Sequence, residues 1–374
     1  AMKLFGAQHY DHYQFLFSLS EQMGANGLEH QRSSENGVGT DYFTGWKEKQ
    51  GFTDLLAHEF VHSWNGKYRR GKDLWVPNLN TPMQNSLLWV YEGQTQYWGN
   101  VLAARSGMRP LPASIDALAL VAAAYADNRP GLSWRGIQDT TNDPIVVGRA
   151  PRAYLNYQMS EEYYRGGQMI WLEADALIRA GSNGKRSLDD FARAFFGVND
   201  GEWKVQNTYT FEDVVATLNG VHPHDWAKFL RDRLDGKTGL AGGIEASGWK
   251  LVYKDEPNGL SKGGSDGNYT YSLGLNLGKD GRVSTVLWDS PAFNAGIGAG
   301  MQVTAVNDIE YSDAALKDAV KAAKTDKAPI RLMLKEFNRY RTVSIDYHGG
   351  LRYPALERIA GTPDYLTPIL SARK

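Results

Sequence analysis

The chain has 374 residues, a formal net charge of −1, 42% hydrophobic and 22% charged residues, and no cysteine. Its length exceeds what one core usually serves and points to two or three domains, so more than one site is expected. A near-neutral charge without a long basic run argues against nucleic acid as a partner, and there is no run of about eighteen apolar residues to span a bilayer.

The lack of cysteine rules out disulfides and thiolate ligands, leaving His, Asp and Glu for any tight zinc site. The opening residues, AMKLFGAQHYDHYQFLF, lack the charged, apolar and small-residue segments of a signal peptide, and Ala1-Met2 reads as an addition to a chain that starts upstream. From Leu4 to about Phe60 the sequence reads as short strands and loops, YQFLFSL and then GANGLEHQRSSENGVGTDYF. They lead to a helix that Thr53 caps, with Asp54 in its first turn, running through LLAHEFVHSW to Asn65-Gly66. LLWVYEGQTQYWGNVLAARSG predicts a second helix that ends at Gly107. Between about Pro112 and Leu234, ASIDALALVAAAYAD, GQMIWLEADALIRA, SLDDFARAFF and TFEDVVATL repeat apolar residues at helical spacing, which makes a helical lobe.

Near Gly236 the composition turns glycine-rich, and a β-rich unit follows: WKLVYK, YSLGLNL, VSTVLW, MQVTAVN, IRLMLKEF and YRTVSIDY, with one helix, DAALKDAVKAA. The tail from His348 to Lys374 is punctuated by Pro and Gly and is expected to pack back on the rest.

Within the first predicted helix, His58-Glu59-Phe60-Val61-His62 is an H-E-x-x-H. Residues four apart share a helix face, so both imidazoles can meet one ion while Glu59 stands beside it to take a proton from water. A catalytic zinc needs a third protein ligand and an open position. Glu92, on the second helix among Trp89, Val90, Tyr91, Tyr97 and Trp98, is the candidate, because a carboxylate amid such side chains is costly unless paired. His222 and His224, flanking a proline after a helix, read as structural.

H-E-x-x-H followed by a W-x-x-E-G helix resembles the gluzincin metallopeptidases, and HEFVHSWNGKYRR with WVYEGQTQYWG resembles the glycyl aminopeptidase family that carries a C-terminal PDZ domain. The resemblance implies one Zn2+ per chain, held by His58, His62 and Glu92, with Glu59 as general base. It also implies an aspartate four residues after the glutamate ligand to orient a zinc histidine; here that position is Gln96, whose carbonyl can accept the imidazole N–H without adding charge. Asn26-Gly27-Leu28-Glu29-His30 is similar to the family's G-G-L-E-H segment, which implies that Gly27 and Glu29 bind substrate and that Glu29 holds its free α-ammonium. SEEYYRGGQMIWLEADALIR resembles the Y-Y-x-K-G segment that supplies an oxyanion donor. A gapless match gives Tyr164, a one-residue slide gives Tyr163, and the family lysine is Gly166 here.

Ser272-Leu273-Gly274-Leu275 followed by VSTVLWDSPAFNAGIGAGMQVTAVND resembles a PDZ domain, implying that the Leu273, Gly274 and Leu275 loop holds a peptide C-terminus against the helix near Asp313. The resemblance thus implies an α+β chain. Residues 1–110 are the zinc-binding part of a thermolysin-like catalytic domain, 111–240 its helical lobe, 241–348 a PDZ-like domain, and 349–374 a tail on the rest. The expected activity is a zinc aminopeptidase acting on peptides with a free N-terminus and preferring Gly or Ala there. The alternatives are an endopeptidase with PDZ-presented substrates, or an inert peptidase-like scaffold, motivated by Gln96 and Gly166. Family members are mostly bacterial and often exported, which implies the periplasm or secretion ahead of the cytoplasm.

Overall fold

The structure, a computed structural model, describes residues 1–47, 50–126, 128–143, 153–237 and 239–372. After a one-turn helix, Met2–Phe5, come three strands: β1 (Gln14–Leu19), β2 (Asn26–Glu29) and β3 (Ser33–Val38). They form one sheet in the order β1-β3-β2, with β1 parallel and β2 antiparallel to β3, Leu28 opposite Glu35. β2 is therefore an edge strand, and it lies on the histidine helix, Leu55–Val61. A methyl group added at Gly27 would collide with Glu59 Oε1, so the close approach of strand to helix depends on glycine there.

The histidine helix differs from expectation at both ends. Thr53 Oγ1 donates to Gln50 O at 2.9 Å, while Asp54 occupies the N-cap position without a side-chain bond to the helix's own amides. Regular helix ends at Val61; His62 keeps helical dihedrals (φ −61°, ψ −20°), and the chain turns out through Gly66. The second predicted helix is split at Glu92 into Leu88–Tyr91 and the glutamate helix, Gly93–Arg105.

The glutamate helix crosses a third one, the tyrosine helix, Arg165–Gly181, at paired glycines: a Cβ on Gly93 would stand 2.8 Å from the Gly167 Cα. Two helices without side chains at their crossing pack backbone against backbone. This brings Glu92 and Tyr164, each just ahead of its helix, to the same place.

Around these helices pack Leu111–Ala126, Leu188–Phe196, Phe211–Val221 and Trp226–Leu234. Ser187 with Asp190, and Thr210 with Asp213, cap two of them reciprocally. Trp64, Trp89, Trp98, Trp171 and Trp226 are fully buried in this core. At 150–250 Å² each, their burial favours folding by roughly 4–6 kcal/mol apiece before conformational entropy is counted. A short parallel pair, β4 (Arg69–Gly71) with β5 (Asn207–Tyr209), ties the segment after the histidine helix to the lobe.

A second core collects residues from Tyr269 to Tyr353. The WKLVYK strand, β6 (Trp249–Lys254), stays with the first core: Trp249 and Leu251 pack there, and β6 pairs with a tail strand, Tyr353–Arg358. The change of core therefore comes after β6, later than the change of composition. The second core is built on β7 (Asn268–Tyr269), β8 (Leu275–Leu277) and β9 (Val283–Val286) in one sheet. A second sheet joins β10 (Gln302–Val306), β11 (Ile309–Glu310), β12 (Ile330–Glu336) and β13 (Arg339–Ile345), and helix Asp313–Asp326 packs beside it. The tail strand is β14, and the helix Leu366–Leu370 after it buries Leu366 and Ile369 in the first core. No described helix is long and apolar enough to cross a membrane.

Candidate active site

His58, His62 and Glu92 meet at the junction of the histidine and glutamate helices. The Nε2 atoms of His58 and His62 are 3.2 Å apart, and Glu92 Oε2 lies 3.5 and 3.4 Å from them. A tetrahedral ion with ligands at about 2.0–2.2 Å holds its donors about 3.3–3.6 Å from each other, so the triangle has the dimensions of a metal site. Two further observations fit an ion. Glu92 Oε2 is buried with no hydrogen-bond partner, an arrangement that is costly unless a cation satisfies it. His62 Nδ1 lies 2.9 Å from Asn65 O, which can only accept, so Nδ1 keeps its proton and Nε2 is the nitrogen turned toward His58 and Glu92.

Asn65 was not singled out from the sequence, yet it fastens this geometry. Its Nδ2 donates to Val90 O, Tyr91 O and Thr95 Oγ1, pinning the turn after the histidine helix to the glutamate helix. The signal was present in HSWNGKYRR, but only the three-dimensional path shows what the asparagine reaches. Gln96, expected beside a metal histidine, instead gives its amide N–H to Asp54 Oδ2 at 3.3 Å. The hydrogen bond that orients His62 is the one its Nδ1–H donates to the Asn65 carbonyl.

A cleft of about 610 Å³ opens between β2 and the histidine helix, lined by Asn26, Gly27, Leu55, His58, Glu59 and Tyr164 among others. Burial raises the pKa of Glu59 above its ordinary value, outweighing the opposing pull of His58 and His62. For Glu92, burial acts upward, but the imidazoles of His62 and His58 outweigh it and hold the carboxyl well below the usual range. Burial acts to lower the pKa of His62, yet the carboxylates of Glu92, Glu29 and Glu59 around it raise it to about 9.

Tyr164 lines the cleft with its ring stacked on His58 at 6.2 Å between centroids, and burial together with the nearby Glu92 carboxylate holds its phenol well above the ordinary pKa. Tyr163 packs in the first core, 1% exposed. Gly166 is buried against Ile137, Leu240 and Tyr125, where a long side chain has no room.

Glu29 stands at the end of β2, and donor atoms of Glu29, Glu59 and His62 all lie within 4.8 Å of one another. Its Oε1 accepts the Tyr91 hydroxyl at 2.6 Å and lies 3.4 Å from Lys67 Nζ. Burial pushes its pKa up, but His62 and Lys67 outweigh it, and the net shift is downward, so the group is ionised at neutral pH. Tyr91 and Lys67 are further residues that the sequence reading passed over.

The remaining candidates lie elsewhere. Leu273 and Leu275 are buried in the second core, and the N–H groups of Leu273 and Gly274, expected at a peptide carboxylate, donate here to Tyr269 O. His222 Nε2 packs against Gly181 and His224 against Trp226, in keeping with structural roles.

Residues 51–170 match the family described as M61 glycyl aminopeptidase. No curated protein matches the chain. Among solved structures, it is similar to the crystal structure of an aminopeptidase N family protein from Idiomarina loihiensis, with a TM-score of 0.74 and 20% sequence identity. The likeness covers 99% of this chain and 64% of that one, so this chain spans about two thirds of its length. The stretch that carries His58, His62, Glu92 and Tyr164 thus resembles the M61 glycyl aminopeptidase family, on a fold shared with an aminopeptidase N family protein.

Proposed function

We propose that the chain is a zinc-dependent aminopeptidase that removes small N-terminal residues such as Gly and Ala from peptides, with residues 1–240 forming the catalytic part. The observation that carries this reading is the His58, His62 and Glu92 triangle with Glu59 beside it and Glu29 within the reach of one amino-acid residue. His58, His62 and Glu92 would hold Zn2+, and the chemistry it would supply is polarisation of the scissile carbonyl and a lowered pKa for the attacking water.

The chain's own groups do the rest. Glu59, with its raised proton affinity, takes a proton from water and passes it to the leaving amine nitrogen. The Tyr164 hydroxyl, kept protonated by its surroundings, donates to the carbonyl oxygen as negative charge develops there. Tyr91 and Lys67 occupy Oε1 of Glu29, which leaves Oε2 for the substrate ammonium. A carboxylate so near His62 admits one residue before the scissile bond, and this makes the reaction an exopeptidase one. The preference for Gly and Ala rests on the family likeness.

One observation favours a second reading. Lys67 already balances the Glu29 charge, so an endopeptidase whose substrates lack a free amine there remains a competitor. Hydrolysis of Gly- and Ala-nitroanilides beside their N-acetylated forms, each with and without a chelator, separates the two. Chelator-sensitive cleavage of the free-amine compounds alone is the expected result. Equal cleavage of the acetylated compounds selects the endopeptidase, and cleavage that survives chelation overturns both.

A further inference from the structure

The second unit contains a groove that is already filled. β8 has β9 on one side, and on the other it pairs antiparallel with β7, Asn268 opposite Asn276 and Tyr269 opposite Leu275. The Leu277 N–H extends the ladder by donating to Gly267 O at 2.8 Å. Helix Asp313–Asp326 forms the other wall. Asp313 Oδ1 accepts the Gly267 N–H at 2.8 Å and the Tyr269 hydroxyl at 2.7 Å, and Lys317 Nζ reaches Asp266 Oδ1 at 3.0 Å. At the end of this strand three N–H groups, from Ser272, Leu273 and Gly274, converge on Tyr269 O at 3.1, 3.0 and 2.9 Å. The Tyr269 ring is 1% exposed in the second core.

A short strand laid between a sheet edge and a helix, its last carbonyl in a nest of amides and its last side chain in an apolar pocket, has the geometry of a docked peptide tail. We infer that residues 266–269, Asp-Gly-Asn-Tyr, are a built-in ligand that holds in cis the place of an external peptide C-terminus, so that the second unit is a tail receptor closed by its own chain. The occupant defines the partner. A free carboxylate takes the place of the Tyr269 carbonyl in the amide nest, an aromatic last residue fills its pocket with a hydroxyl toward Asp313, and an acidic side chain three residues earlier meets Lys317.

The internal segment is tethered a few residues from the nest, so its effective concentration is on the order of millimolar or more, and a free tail competes poorly. Apparent affinity for an external tail is then reduced by the small fraction of molecules in which the segment is out.

Gly267 supplies the means to test this. It has φ +72°, and a side chain there would run into Leu277 O, so Gly267→Val evicts the segment and leaves β8 and the helix wall intact. A fluorescein-labelled peptide ending in Asp-Gly-Asn-Tyr with a free carboxylate, and its C-terminal amide, are titrated into the full chain and monitored by fluorescence polarisation. The carboxylate peptide is expected to bind Gly267→Val at least about tenfold more tightly than wild type, and the amide to bind poorly. Equal affinity for wild type and variant overturns the inference, as does equal binding of the amide. A Gly267→Val chain that retains its circular dichroism yet binds nothing also overturns it, since β7 is then an ordinary hairpin arm. Should that variant not fold, Asp266→Ala removes only the exposed ion pair to Lys317, and a smaller gain in the same direction is required.

Discussion

Two strands of this protein run beside a helix, and they are treated in opposite ways. β2 is an edge strand that borders an open cleft along the histidine helix, whereas β8 has its edge covered by β7, which Asp313 clamps. An uncovered strand edge is a row of unpaired backbone groups, and proteins tend to hide it unless something is meant to add there. The strand at the cleft stands next to two buried carboxylates, Glu59 and Glu92, the half-buried Glu29 and two imidazoles, where a polypeptide added to it would lie across these groups. The edge that is closed has no such chemistry, and the chain itself satisfies it.

The largest expected effects test the open edge. Glu59→Gln should retain metal, measured by elemental analysis, and lose about 10²–10⁴-fold in kcat, as removal of a general base does. Tyr164→Phe should lose about 10²–10³-fold in kcat, with Tyr163→Phe near wild type. The reverse order for the two tyrosines would move the oxyanion donor off the cleft wall.

A middling effect is expected behind the site. Asn65→Ala unpins the turn whose carbonyl orients His62, and metal affinity measured by chelator competition should fall about 10–100-fold, as it does when the groups that orient a ligand are lost. Unchanged affinity would mean that the Asn65 backbone holds its place without the side chain.

The smallest effect concerns the closed edge. Burial pushes the Asp313 carboxyl up, but Lys317, the Gly267 N–H and the Tyr269 hydroxyl outweigh it, so its folded pKa lies below the ordinary value. The contribution of a depressed carboxyl is fully present above its unfolded pKa of about 3.9 and is lost as pH falls through the folded value. The phenols of Tyr311 and Tyr353, which also feel this carboxylate, are raised and stay neutral throughout that range. Exchange of the Leu277 amide should therefore accelerate below about pH 4 in wild type, and Asp313→Asn should remove that dependence. An equal acceleration in both would place the lock elsewhere.

Much of this could be read along the chain, because it is local. The H-E-x-x-H spacing sets two imidazoles on one helical face whatever surrounds them, and the apolar neighbours of Glu92 already require a partner for its charge. The runs that became β8, β9, β10, β12 and β13 are short, β-rich and bounded by turn residues, and the helix from Asp313 carries its own N-cap in Ser312. What no local pattern held is which distant groups meet. That Gln96 turns to Asp54, that Asn65 clasps the glutamate helix, and that Lys67 and Tyr91 share Glu29 depend on how the histidine and glutamate helices pack, with Gly99 close against the His58 backbone.

By itself, then, the sequence put two imidazoles on one helical face with a glutamate beside them, marked Glu92 as a carboxylate in need of a partner, and gave the run of helices and strands, since each follows from spacing along one element. That Tyr164 rather than Tyr163 lines the cleft, that Asn65 pins His62 and that β7 closes β8 were decided by tertiary structure. Hydrogen bonds and ion pairs between remote segments exist only once packing has brought their partners within about 3 Å.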